Sequence, residues 1–296
     1  MKRETEATHS LVAHWVAAAR SAGVSLAPLG TRQFTLSGHG DDGCALHLQG
    51  GWLTASAPWP GRADDQPLVT HADWFGPAKL DVNGAAMRKL ELPLAYGGFP
   101  PDDAGDDEGS PSNADRFLSR LLAGIPGWMH GRAAEDWEPP SAEALSNWLT
   151  AAGYTVAIDA EGSLRTTLDR KGCDGQVRIE RRTGRLRLAM RIGAWREPTP
   201  SALQAMQRLA RIANHHTRLV RIAWMTDGEQ QRCDAVVDLT GFPELDEADS
   251  ASVAAWPVVL TAALDGLQLA LNRLGLELEA LADPDNADVV AAFSAA

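Results

Sequence analysis

Hydrophobic and polar positions alternate along this chain in two periods, and the switches between them mark its elements. The clearest run is Thr199 to Leu239. Leu203, Met206, Leu209, Ala210, Ile212 and Ala213 fall on one side of a helical wheel. Gln204, Gln207, Arg208, Arg211, Asn214 and His215 fall on the other, which predicts a helix with one face on a core. Two short β-rich runs follow, Leu219–Met225 and Cys233–Leu239. Between them Thr226-Asp227-Gly228-Glu229 carries an Asp-Gly pair, a hairpin signal.

The rest of the chain reads the same way. Ser10 is placed to cap a helix ending near Ser21, with Leu11, Trp15, Ala18 and Ala19 inward and Gly23 as its stop, leaving residues 1–9 frayed. Gln33–Ser37, Cys44–Gln49 and Trp52–Ala57 form a predicted three-strand meander. Pro58 to Pro77 reads as loop, and Lys79–Val82 with Met87–Leu94 as a hairpin around Asn83-Gly84. An acidic loop from Gly97 to Asn113 precedes a helix over about 114–123, with Phe117, Leu118, Leu121 and Leu122 inward. The Pro- and Gly-rich stretch that follows is the predicted linker. Beyond it come a helix capped by Ser141 and ended by Gly153, then extended residues Tyr154–Ile158. Strands are predicted at Ser163–Leu168, Gln176–Arg181 and Arg185–Ile192. After the helix–hairpin unit, Val253, Trp256, Leu260, Leu264, Leu267, Leu271 and Leu274 draw one seam along a last helix, about 252–276.

Set side by side, the halves match in order. Leu11-Val-Ala-His-Trp15 lies opposite Leu145-Ser-Asn-Trp148, and each helix ends at a glycine, Gly23 or Gly153. Gly43-Cys-Ala-Leu-His-Leu-Gln lies opposite Gly175-Gln-Val-Arg-Ile-Glu-Arg. The predicted class is α+β: two tandem α-β-β-β-(α)-β-β-α modules, antiparallel sheets with helices packed on one face. The middle helix is clear in the second copy alone. The expected boundaries are 1–125 for the first module, 126–140 for the linker, 141–282 for the second module and 283–296 for a tail.

That order resembles the type III secretion chaperone fold, also seen in YbjN-like bacterial proteins. The second half carries it best, from Leu209-Ala-Arg-Ile-Ala-Asn-His-His through Asp227-Gly228 and Cys233–Leu239 to the long last helix. The resemblance implies a non-catalytic module that binds an extended segment of a partner protein. It also implies that two modules in one chain form a pseudo-dimer, the whole being a monomer or homodimer. The missing middle helix in the first half departs from the pattern and puts an ordinary dimer-like interface in doubt.

Charge sharpens the picture. The chain carries a formal −12, yet residues 161–232 hold 15 Lys and Arg against 7 Asp and Glu. Strand alternation puts Arg185, Arg187 and Arg191 on one outward face, with Arg178 beside them. These four are the candidate partner-binding cations for an acidic protein segment. The competing reading is a solvated face, or one neutralised by the chain's own acidic runs at 102–108 and 244–249. Trp128 and Trp137, in the linker, are candidate partner or intermodule contacts, as are Trp52, Trp59 and Trp74 beside turns. Trp15, Trp148 and Trp256 read as core.

Chemistry is sparse. No catalytic, metal or cofactor set is expected. His215-His216 are adjacent on a helix, so they point about 100° apart and make a poor metal pair. His71 and Asp73 have no nucleophile beside them, and Gly38-His39-Gly40 precedes a strand rather than a phosphate-binding helix. Cys44, Cys173 and Cys233 are too scattered for a disulfide framework, and Cys44 and Cys233 read as core. The acidic total argues against nucleic acid or a membrane surface as partner. Without a secretory signal or a run of about 18 apolar residues, the expected place is the cytoplasm. The alternatives from other classes are an enzyme with its site between the modules, or a structural or regulatory protein.

Overall fold

A computed structural model describes residues 2–30, 32–38, 43–49, 52–59, 70–71, 79–83, 85–93, 113–130, 137–160, 162–168, 175–196, 198–227, 230–239 and 250–282. The first half runs α1 (Lys2–Ser21), β1 (Ser25–Pro28), β2 (Gln33–Ser37), β3 (Cys44–Gln49), β4 (Trp52–Pro58), β5 (Thr70–His71), β6 (Lys79–Asn83), β7 (Ala85–Pro93) and α2 (Asn113–Met129). The second runs α3 (Ala142–Ala151), β8 (Val156–Ile158), β9 (Leu164–Leu168), β10 (Gly175–Arg182), β11 (Arg185–Arg196), α4 (Pro200–His216), β12 (Arg221–Asp227), β13 (Gln230–Leu239) and α5 (Ser250–Ala282).

The strands make two sheets, ordered β1-β2-β3-β4-β7-β6 and β5-β12-β13-β11-β10-β9-β8. Apart from β5, both have one plan: an antiparallel meander, then the last hairpin strand against its fourth strand, with that hairpin's first strand outermost. The α+β class holds. Each meander has four strands rather than three, because β1 and β8 are short first strands that follow the glycine stops. Gly23 and Gly153 have φ of +70° and +93°, a turn conformation that costs glycine little. In both places the next residue donates back into the helix, Val24 N to Ala19 O and Tyr154 N to Leu149 O, each at 3.0 Å.

The cores follow the two periods. In β9, Leu164, Thr166 and Leu168 are buried and alternate with the exposed Arg165 and Thr167. In β11, Leu186, Leu188, Met190 and Ile192 face inward, and α5 closes over them with Trp256, Leu260, Leu264, Leu267 and Leu271.

Several boundaries differ from the sequence expectation. Helix α1 begins at Lys2, so residues 2–9 are helical. Helix α2 continues through Gly124, Pro126 and Gly127 to Met129, into the stretch expected as linker. Ile125, Trp128 and Met129 are all buried there, and that burial outweighs the poor helix propensity of the glycines. Residues Trp137–Pro140 belong to no helix or strand and are tied to the β10–β11 hairpin. Gly184 N donates to Trp137 O at 2.7 Å, and Arg181 Nε to Pro140 O at 2.5 Å. On α4, Ile212 is 51% exposed while Asn214 is fully buried, the reverse of the wheel. The expected tail 283–296, the acidic loops 102–108 and 244–249, and Asp73, Trp74 and Cys173 lie outside the described residues.

The two halves meet through their crossovers. From the first, β5 pairs in parallel with β12, Thr70 opposite Ala223 and His71 opposite Trp224. From the second, α4 packs on β6. Buried Lys79 on β6 donates from Nζ to Thr217 O, at the C-cap of α4, and its Nζ lies 2.9 Å from Glu91 Oε2. Arg218 stacks 4.9 Å over the Trp52 ring. Asn214 acts as a side-chain strand segment: Ile222 N donates to its Oδ1 at 2.7 Å, and its Nδ2 donates to Ile222 O at 3.1 Å. Replacing Asn214 with Ala leaves both backbone groups of Ile222 unmet. The expected loss is about 2–4 kcal/mol of unfolding free energy by urea titration, whereas exposed Ile212→Ala is expected to move it by less than about 0.5 kcal/mol.

Candidate functional site

Helices α3, α4 and α5 pack with the second sheet's apolar face into the main core. Its other face is polar and can be read row by row across the strands. One row is Arg165, Arg178, Ala189, Val236 and Arg221, each opposite the next. The next row toward the hairpin turn is Glu180, Arg187 and Asp238, and the last is the pair Arg182 and Arg185. On the other side lie Thr167 opposite Gln176, and Arg191 opposite Asp234. Around the small side chain of Ala189 the long neighbours leave a shallow concavity of about 660 Å³. Ala189, Ala223 and Val236 form a small apolar cluster of their own on this face.

The four predicted arginines fare differently. Arg178 and Arg191 are exposed and line the concavity. Arg178 lies 3.3 Å from Glu180 along its own strand. Arg187 belongs to the protein's interior economy instead. It grips Asp238 with both arms, Nε to Oδ1 at 2.6 Å and Nη2 to Oδ2 at 3.1 Å, and Arg221 Nη2 reaches Oδ2 at 2.8 Å. The Asp238 side chain is fully buried and that of Arg221 is 2% exposed. Burial pushes the Arg221 guanidinium below its ordinary range, and Asp238 works against that. Alternation placed Arg187 on the correct face but carries no information on what lies opposite it on β13. Arg185 is half-buried at the hairpin end, away from the concavity. Burial and the nearby Arg182 and Arg187 lower its pKa.

As partner contacts, Trp128 and Trp137 are corrected, since both are buried. Trp128 is 4% exposed, with its indole against Gly124, where a Cβ would come within 2.5 Å of the ring. Trp137 is 7% exposed and stacks on Trp256 at 6.4 Å, which stacks on Trp148 at 5.9 Å. Both are core residues, because the stretch that carries them is helical or docked rather than free.

Sequence reasoning missed Arg165, Thr167, Gln176 and the Arg232–Asp234 pair. Arg165 was legible: in Leu164-Arg165-Thr166-Thr167-Leu168 it falls on the face opposite both leucines, as Arg178 falls opposite Val177 and Ile179. Arg232 holds Asp234 through Nε at 2.7 and 2.9 Å and through Nη2, a pairing that depends on β13 and is not periodic. Among the described residues no group of three or more His, Cys, Asp or Glu converges on a point. His215 and His216 meet edge to face at 4.9 Å. Among the described residues no helix is long and apolar enough to cross a membrane.

No family model matches the chain, and no curated protein matches it. Among solved structures, the crystal structure of YbjN from E. coli aligns with 48% of this chain and 91% of its own length. The identity is 15% and the TM-score 0.34.

Two measurements test this geometry. Asp238→Asn weakens the hold on the buried Arg221 and the partly buried Arg187 and is expected to lower unfolding free energy by about 3–5 kcal/mol, while Arg178→Gln shifts it by less than about 0.5 kcal/mol. Both cysteines whose surroundings are described are free and buried, and burial raises their thiols, Cys44 to about 11 and Cys233 further. In a Cys173→Ser background, a thiol reagent at about pH 8 is expected to label neither in the native protein and both after unfolding. Rapid native labelling would show that β3 or β13 opens.

Proposed function

We propose that this chain is a non-catalytic protein-binding module. Its two α+β units act as an intramolecular pseudo-dimer, and an acidic segment of a partner protein docks on the outer face of the second sheet. One contrast supports this above all. In the first sheet, Lys79 and Glu91 on the corresponding polar face are buried beneath the end of α4, and Arg218 covers Trp52. In the second, Arg165, Arg178 and Arg191 stand exposed around a concavity. Long guanidinium side chains on a rigid sheet suit carboxylates, which they hold with paired hydrogen bonds.

The reading agrees with the binding role that the secretion-chaperone resemblance implies, but it needs no secretion system. A reducing cytoplasm suits the free cysteines Cys44 and Cys233.

The test is affinity purification of the tagged full chain after brief crosslinking, with the double variant Arg178→Glu, Arg191→Glu alongside. The expected result is a protein recovered in near-equal amount with the parent chain and lost with the variant, at unchanged melting temperature. Retention of that protein by the variant moves the docking surface elsewhere. Recovery of no protein with the parent chain counts against a binding role and favours an enzymatic or structural one.

A further inference from the structure

The spacing of cations on the open face restricts what kind of acidic segment fits. Arg165 and Arg178 are direct cross-strand neighbours. That puts their Cβ atoms about 4.5–5.5 Å apart, an arrangement of like charges that costs stability unless something negative lies between them. Glu180 and Asp159 answer it in part, at 3.3 Å from Arg178 and 3.4 Å from Arg165. Both arginine side chains nevertheless remain nearly half exposed. Arg191 lies on the next strand, two residues beyond Ala189, which pairs with Arg178. The diagonal from Arg178 to Arg191 is therefore about 7–8 Å, and it crosses the concavity over the small Ala189.

In an extended segment, side chains two residues apart point the same way and stand about 6.5–7 Å apart. A helical segment instead brings together residues three or four apart. Building on the docking role proposed above, we infer that the occupant is an extended peptide with carboxylates at alternate positions, Asp or Glu at i and i+2. One carboxylate sits at the Arg165–Arg178 pair and the next at Arg191. The first displaces Glu180 from Arg178. Asp234, held by Arg232 beyond Arg191, repels a third carboxylate and ends the register there.

The experiment is fluorescence anisotropy with the full chain at low salt. The first labelled peptide carries aspartate at every second position among Gly and Ser. A second has the same composition with aspartate at every third position, where extended neighbours point to opposite sides. A third probe is a single-stranded oligonucleotide of equal charge. The first peptide is expected to bind about tenfold more tightly than the second, a difference of about 1.4 kcal/mol. Arg178→Gln or Arg191→Gln should erase that preference, and Arg196→Gln, on the same strand outside the concavity, should keep it. Equal binding of both peptides that is weakened by the two variants overturns the spacing and leaves the docking face intact. Binding indifferent to all three substitutions, or no peptide binding, overturns the inference, and in the first case the docking face as well. Tighter, arginine-dependent binding of the oligonucleotide overturns the assignment to a peptide.

Discussion

Each half of this protein packs against the outer hairpin strand of the other, by strand pairing at β12 and by a helix at β6, and the arrangement of everything else depends on that exchange. A sheet's outermost strand presents unpaired backbone groups that invite further pairing. In the first sheet that strand is β6, and α4 from the second half lies on it. In the second it is β12. Its Ala223 and Trp224 take β5 from the first half, and Asn214 takes Ile222 through both backbone groups. Both closing elements come from the same place in their units, the crossover between the fourth strand and the final hairpin. Units with one strand order use that crossover differently, as a two-residue strand in one and a five-turn helix in the other. On the first sheet's polar face Lys79 and Glu91 are covered while Ala45, His47 and Gln49 on β3 stay exposed, and on the second Arg165, Arg178 and Arg191 stay exposed while Arg221, Asp234 and Asp238 are buried.

The open face has its own internal logic. Of the guanidinium groups on it, three hold buried carboxylates, Arg232 at Asp234 and two more at Asp238. Arg187 and Arg221 share Asp238, so a buried carboxylate and two arginines form a locked polar unit across β11, β13 and β12. Buried pairs of this kind add little net stability compared with apolar packing, but removing one member is severe. They fix register strongly, since a one-residue slip of β13 would carry Asp238 to the apolar side. The arginines nearer β9 and β10 are under no such obligation and keep much of their surface in solvent. The face thus divides into a structural end at β12–β13 and a chemically available end at β9–β11.

How much of this was legible in the sequence can be seen residue by residue. Period-2 alternation located every strand of the second sheet's meander from Leu164 to Ile192 and the correct outward face for Arg178, Arg185, Arg187 and Arg191. It could not assign partners, because a pair such as Arg187 with Asp238 spans 51 positions and is set by register. Local propensity failed where long-range burial was strong. Gly124, Pro126 and Gly127 read as a linker, yet the burial of Ile125, Trp128 and Met129 keeps them helical. The wheel for α4 erred at Asn214 for a related reason. A polar side chain belongs in a core when it meets a backbone edge, and the edge of β12 is not visible in the sequence of α4. The short strands β1, β5 and β8, of four, two and three residues, carry too few positions for any period to register.

The charge distribution ties these points together. The chain as a whole repels anions, carrying −12, while the stretch that builds the second sheet carries a surplus of cations. A uniformly basic protein attracts polyanions anywhere on its surface and discriminates little among them. Here the surplus is divided between the second sheet and α4, and Arg165, Arg178 and Arg191 are the arginines that stand exposed around the concavity. At physiological salt such charges act over about 8–10 Å. For the docking proposed above, selectivity has to come from short-range fit between guanidinium and carboxylate positions, and on a β-sheet those positions are fixed by strand spacing and register rather than by flexible loops.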